Sequence, residues 1–136
     1  MTMFVDTGIA IAVLDVDDPR HRPAVSRLAR EPDPRILSST WGEVMVAAYA
    51  KGERQIRLAT EILDTAFDRV DLDREVVETA ARLRGRLLRK GVASSRLPML
   101  DAMVVAAAVV HDDKAMTTDR TWPLAELRVK QRVVIV

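Results

Sequence analysis

Four carboxylates stand where apolar segments of this chain give way to polar ones. Asp6 ends the run Met3 to Val5. Glu43 follows the apolar pair Ile36-Leu37 at the start of a helical pattern. Asp101 sits at the mouth of the uninterrupted apolar run Ala102 to Val110, and Asp119 follows Lys114 to Thr118. Taken singly, each has a plain structural role open to it. Asp6 can cap a helix, Glu43 can complete a capping box begun by Thr40, Asp101 can complement a positive helix end, and Asp119 can serve a turn. Taken together they have a different meaning if the fold brings them to one place. Two carboxylates about 4 Å apart repel by roughly 4 kcal/mol at an effective dielectric near 20. Four such groups must share protons or hold a cation. A donor set made only of oxygen suits Mg²⁺ or Mn²⁺ rather than zinc. An ion of that kind lowers the pKa of a bound water and neutralises a phosphate oxygen, which is the chemistry of phosphodiester hydrolysis.

The elements that must position these acids can be read from periodicity and punctuation. Met3 to Val5 is too short for a helix and reads as a strand, and Thr7 to Leu14 reads as a helix capped by Asp6 or Thr7. A turn at Asp15 to Pro19 leads to a helix over Arg20 to Arg30, closed by Pro32 and Pro34. Arg35 to Ser39 is a second strand, and Thr40-Trp-Gly-Glu43 matches a capping box opening a helix to about Lys51, ended by Gly52. A helix over Arg54 to Phe67 and a strand over Arg69 to Asp73 follow. Asp73 caps a basic helix from Arg74 to about Lys90, terminated by Gly91. After a loop from Val92 to Leu97, Pro98 opens a buried helix, Met99 to His111. Lys114 to Thr118 is a strand, Asp119 to Pro123 a turn, and Arg132 to Val136 a last strand. Strands separated by helices predict an α/β fold, with a mainly parallel sheet of four to five short strands covered by helices on both faces. In such a sheet the loops at the carboxyl ends of the strands converge on one crevice, and all four acids fall at that edge.

Bulk properties narrow the class. A chain of 136 residues, 49% hydrophobic and 30% charged, is long enough for one domain with an ordinary core, here read as residues 1–136. The absence of cysteine removes disulfides, thiolate metal sites and cysteine nucleophiles, and agrees with a cytoplasmic location. The first residues lack a basic segment ahead of the apolar run Gly8 to Leu14, which stops at Asp15, so no secretory signal is expected. The apolar run after Asp101 is shorter than the roughly 20 residues a membrane span requires. Net charge is only +1, yet Arg82, Arg84, Arg86, Arg89, Lys90 and Arg96 form a basic stretch with no acid among them, immediately ahead of Asp101. That stretch reads either as a surface tracking a nucleic-acid backbone or as a solvated helix face whose arginine stems lie on the core.

Phe-Val-Asp6-Thr, Ser-Ser-x-x-x-Glu43-Val, Leu-Pro-Met-Leu-Asp101-Ala-Met-Val-Val-Ala-Ala-Ala and Thr117-x-Asp119-Arg-x-Trp122 resemble the motifs of the PIN-domain ribonucleases, and specifically of the VapC type of toxin. The resemblance covers the whole chain in order and spacing. It implies a metal-dependent endoribonuclease using Mg²⁺ or Mn²⁺, with Asp6, Glu43, Asp101 and Asp119 as the catalytic acids. It also implies a homodimer neutralised by a cognate antitoxin, as a heterotetramer or larger assembly. The chain departs from the pattern at three positions: Thr121 stands where a second acid is common, Trp122 where Phe is commoner, and Gly8 where serine or alanine is usual.

Position in the chain suggests how the work is divided. Asp6, Asp101 and Asp119 would hold the ion, and Glu43 would orient or deprotonate the attacking water. Thr7 and Thr117 could support the carboxylates by hydrogen bonds, or simply cap turns. Arg82, Arg86, Arg89, Lys90, Arg96 and Arg120 are the candidates for contact with the RNA backbone. His21 and His111 lack ligand spacing, and the methionines fall at helical spacing as core filler. Trp41 and Trp122 are expected to pack against helices rather than to stack on bases. Asp15-Val-Asp17 superficially matches an Asp-x-Asp phosphatase motif, but it follows a helix where that motif follows a strand. A catalytically weak module that binds RNA or a protein partner through the same fold is the alternative function.

Overall fold

A computed structural model describes residues 2–136. The strands are β1 (Met3–Val5), β2 (Pro34–Leu37), β3 (Asp68–Val70), β4 (Lys114–Thr117) and β5 (Val133–Ile135). The helices are α1 (Thr7–Leu14), α2 (His21–Leu28), α3 (Ser38–Lys51), α4 (Glu53–Ala66), α5 (Arg74–Arg89), α6 (Met99–Val110) and α7 (Leu124–Leu127). All five strands pair in parallel, in the order β3-β2-β1-β4-β5. The chain builds outward from β1 in one direction through β2 and β3, then crosses back to lay β4 on the other side of β1. The carboxyl ends of β1 and β4 therefore flank the point where the winding reverses, and α/β sheets of this kind open their crevice there.

Register decides which side chains meet at that point. Phe4 pairs with Ala115 and Val5 with Met116, and the Asp6 N–H continues the ladder by donating to the Met116 carbonyl at 3.0 Å. Side chains alternate faces along a strand. Phe4 and Ala115 enter the core beneath α5 and α6, with Val104 and Leu83, whereas Met3, Val5 and Met116 enter the core beneath α1, α3 and α4, with Ile9, Met45 and Leu63. One step further, Asp6 and Thr117 share the face that α6 covers.

Several helix ends follow local chemistry. Asp6 caps α1 by accepting from the Ile9 N–H at 2.9 Å, and Asp73 caps α5 by accepting from the Val76 N–H at 2.8 Å. Gly91, at φ 75°, takes up the left-handed conformation past the end of α5. The capping box predicted from Thr40 and Glu43 does not form. Helix α3 starts at Ser38, directly after β2 and without a side-chain cap, so both residues lie inside the helix. The third strand ends at Val70, earlier than predicted, and α7 and a 3₁₀ turn at Lys130–Arg132 occupy a segment for which periodicity signalled no element. Four residues is too short a helix to show a period. Among the described residues no helix is long and apolar enough to cross a membrane.

Helices α5 and α6 pack side by side and run in opposite directions. The α5 cap Asp73 lies 3.9 Å from His111, just past the end of α6, while Lys90 at the other end of α5 donates to the Glu126 carbonyl of α7 at 2.9 Å. The basic end of α5 is thereby carried to the segment that follows β4.

Candidate active site

Asp6 is buried at the carboxyl end of β1, with both oxygens engaged. Oδ1 accepts from the Ile9 N–H at 2.9 Å, and Oδ2 accepts from the Thr117 hydroxyl. Loss of hydration pushes its pKa up to about 6; those two hydrogen bonds hold it down in part, and the charges of Asp119 and Glu43 push it further up. Asp101 stands in the first turn of α6, half-buried, and its pKa is pushed up to about 7, first by burial and then by the charges of Asp6, Glu43 and Asp119. The effect of three other carboxylates on Asp101 places the four acids in one electrostatic neighbourhood. The buried Trp122 indole acts on Asp101 in the opposite direction, although Nε1 lies outside good hydrogen-bond geometry to any partner.

Glu43 is exposed, and its Oε2 accepts from the Thr7 hydroxyl at 2.9 Å, a contact between the first turn of α1 and α3. This bond, rather than a capping box, orients the side chain. Asp119 follows β4 by two residues and is tied down from both directions. Its N–H donates to Thr117 Oγ1 at 2.9 Å, and its Oδ1 accepts from the Thr121 N–H at 2.7 Å and the Thr121 hydroxyl at 2.6 Å. Thr117, fully buried, is thus the hub between Asp6 and Asp119. Both threonines named from sequence touch a carboxylate.

Two further contributors stand out in the sequence only as departures from the family pattern, with no role assigned to them. Thr121 holds Asp119, and an aspartate two residues ahead of a threonine is the only local trace it leaves, since that spacing suits an Asx turn. Gly8 sits against Thr118: a Cβ at position 8 would overlap Thr118 Oγ1 and stand 3.5 Å from Asp6 Oδ1. The absent side chain lets β4 and the start of α1 close together beside Asp6.

Among the described residues no three acidic or histidine side chains stand close enough together to form a finished metal shell. The donor chemistry nevertheless fits a hard divalent cation. Every candidate donor is a carboxylate oxygen, and at Asp6 and Asp101 burial first, then repulsion from neighbouring acids, raises the cost of ionisation, which a cation would relieve.

The basic residues divide by what they already do. Arg82, Arg86 and Arg89 are exposed on α5, with only a 3.2 Å bond from Arg82 to the Thr79 hydroxyl, and Arg120 is exposed beside Asp119. Lys90 is bound to Glu126, and Arg96 donates from Nε to the Thr121 carbonyl at 3.1 Å and faces the Glu126 carboxylate at 3.9 Å. Arg96 is therefore part of the scaffold of the Asp119 loop. Among the described residues neither histidine belongs to a group that could hold a metal: His21 Nδ1 bonds the Ala12 carbonyl at 2.7 Å, and His111 stacks on Phe4 at 5.6 Å with only Asp73 beside it. Trp122 is buried, and Trp41 is covered by the Arg69 guanidinium at 4.4 Å from its centroid. Asp15 and Asp17 form a solvent-exposed turn after α1, away from any strand end.

A cleft of about 420 Å³ lies between α1, α3 and α4 rather than over Asp6, Asp101 and Asp119. Ile11, Leu14, Ala48, Leu58 and Ile62 line it, and Glu43 stands among its lining residues.

A family model for the PIN domain matches residues 3–127. The fold recurs in solved structures along almost the whole chain. A toxin-antitoxin complex from Klebsiella pneumoniae is 26% identical, with a TM-score of 0.68, and the match covers 97% of this chain and 95% of that one. VapC20 from Mycobacterium tuberculosis, a toxin that cleaves the sarcin-ricin loop, is 20% identical with a TM-score of 0.68, over 90% of this chain and 94% of that one. FitAcB from Neisseria gonorrhoeae is 17% identical with a TM-score of 0.73, over 98% of this chain and 96% of that one. No curated protein sequence matches significantly.

Proposed function

The chain belongs to the PIN-domain family, and on that premise we propose that it is a Mg²⁺- or Mn²⁺-dependent endoribonuclease serving as the toxin of a VapBC-type toxin-antitoxin pair. The observation that carries the proposal is the Thr117 hydroxyl, which donates to Asp6 and accepts from the Asp119 N–H and so ties the acids at the ends of β1 and β4 to one buried anchor, while burial and the charges of Asp6, Glu43 and Asp119 raise Asp101. A structural role for each acid would not require them to share a field.

Asp6, Asp101 and Asp119 are the residues that would hold the ion. Bound there, it would supply charge neutralisation at a phosphate oxygen and a more acidic water. Glu43 is suited to a different role, because it is solvent-facing and Thr7 occupies one of its oxygens, leaving the other to accept a proton from water. Thr117 keeps Asp6 and Asp119 at a set separation, which matters because misplacement of reacting groups by about 1 Å can cost two orders of magnitude in rate. Exposed Arg82, Arg86 and Arg89 on α5, and Arg120 next to Asp119, would supply positive charge for the RNA backbone.

The match to a toxin-antitoxin complex supports an antitoxin as partner. The apolar cleft between α1, α3 and α4 is suited to an amphipathic antitoxin segment, and exposed Val46 and Tyr49 on α3 support association with a second copy of the chain in a cytoplasmic dimer.

The decisive experiment is RNA cleavage by the purified chain with Mg²⁺ or Mn²⁺, repeated with EDTA and with Asp101→Asn. Cleavage that depends on the ion and disappears in the variant supports the nuclease. Cleavage undiminished by EDTA, or by the substitution in a folded protein, refutes it. RNA binding with no cleavage under any ion would leave the weak binding module as the function.

A further inference from the structure

We infer that Thr121 is a positioning residue for Asp119: its hydroxyl pins one carboxylate oxygen, so that the other is presented to the acid cluster. The inference rests on the metal-dependent nuclease reading and adds to it a residue that holds a ligand without being one.

Asp119 lies in a turn after β4 that is partly open to solvent, where an unsupported aspartate side chain would sample several rotamers. Two donors from one residue converge on its Oδ1, the Thr121 N–H at 2.7 Å and the Thr121 hydroxyl at 2.6 Å. Among the described residues no hydrogen bond engages Oδ2, and the charge of Asp119 is felt at both Asp6 and Asp101. The backbone donor alone would make an ordinary Asx turn, which any residue at position 121 other than proline could complete. The hydroxyl is the additional element, and it requires threonine or serine.

Thr121 is itself anchored. Its carbonyl accepts from Arg96 Nε at 3.1 Å, and Arg96 also faces Glu126 on α7 at 3.9 Å. A continuous series of hydrogen bonds thus runs from Arg96 through Thr121, Asp119 and Thr117 to Asp6. Groups that hold the ligands of an ion in this way change its affinity by about 10–100-fold when removed.

The test measures Mn²⁺ binding by the paramagnetic resonance signal of the free ion, without RNA, for wild type, Thr121→Val and Thr121→Ser, alongside the melting temperature of each in EDTA. Valine keeps the shape and the backbone donor and removes only the hydroxyl. The expected result is a dissociation constant raised about tenfold in Thr121→Val and restored to within about twofold in Thr121→Ser, with melting temperatures unchanged. Wild-type affinity in Thr121→Val overturns the inference, as does failure of serine to restore it. Wild type that binds Mn²⁺ but cleaves no RNA refutes the nuclease while the same comparison still judges Thr121. Wild type that binds no Mn²⁺ overturns both.

Discussion

Thr117 and Asp6 lie 111 positions apart, and the buried hydroxyl of one donates to the carboxylate of the other. Parallel pairing of β1 with β4 puts them side by side on the face under α6, and the same hydroxyl accepts the Asp119 N–H. Removing it with Thr117→Val would leave a backbone donor unpaired and deprive Asp6 of a bond that favours its ionised form, at a cost of about 1–3 kcal/mol. The expected outcome is reduced cleavage and, in EDTA, a titration profile of the Asp6 carboxyl displaced upward, because Asp6 would then ionise above about 6. Thr117→Ser should keep both features near wild type. A valine variant with an unchanged profile would show that the hydroxyl is incidental.

The raised pKa values make a prediction about stability without metal. Asp6 and Asp101 ionise near 3.8 when exposed but only at about 6 and about 7 when folded, so between those values the folded state binds more protons than the unfolded one. Stability from these groups is then fully present below pH 4, falls as pH rises from about 4 to about 7, and stays low above. For the largely buried Asp6 the loss is about 3 kcal/mol at 1.36 kcal/mol per pH unit, and for the half-buried Asp101 solvent screening reduces it to on the order of 1–2 kcal/mol. Urea denaturation in EDTA at pH 5 and pH 8 measures this. Asp101→Asn should gain stability at pH 8 and flatten the dependence, and equal curves for variant and wild type would contradict the cost that burial and neighbouring acids place on ionised Asp101.

Gly8 and Thr118 should behave as a compensating pair. In Gly8→Ala the new methyl group meets Thr118 Oγ1, and overpacking of this kind costs about 1–3 kcal/mol. Thr118→Ala removes the obstructing atom, so the double variant should recover most of the melting temperature and cleavage lost by the single one. Thr118→Val keeps an atom in the same place and should not rescue. Additive losses in a double-mutant cycle would show that the two positions do not interact.

The basic residues should separate into two groups. In the inactive Asp101→Asn background, Arg86→Ala and Arg89→Ala should each weaken RNA binding and lower the slope of log affinity against log salt by about 0.7 for single-stranded RNA, and in the chain that keeps Asp101 neither should change Mn²⁺ affinity. Arg96→Ala should weaken Mn²⁺ binding as well, because it releases the carbonyl of Thr121. Filter binding over a salt series with parallel ion titrations checks this. Mn²⁺ affinity in Arg96→Ala equal to that of its parent would confine Arg96 to a surface role.

Much of this protein was determined locally. The short apolar run before Asp6, the cap at Asp73, the glycine at 91 and the unbroken apolar stretch after Asp101 each specify an element through forces acting within a few residues, and the structure places those elements close to where the sequence predicts them. The four acids were legible as candidates for the same reason, since each marks an apolar element meeting a polar turn or helix start. What joins them was not. The Thr117 hub depends on which residue of β4 faces Asp6, the opposed α5 and α6 decide that the basic helix end reaches α7, and Thr7 takes Glu43 from the capping box its spacing suggested. These relationships connect segments distant in the chain through register and packing. A hydrogen bond between side chains that far apart leaves no period or spacing in the sequence, and only the folded backbone decides which donor comes within reach.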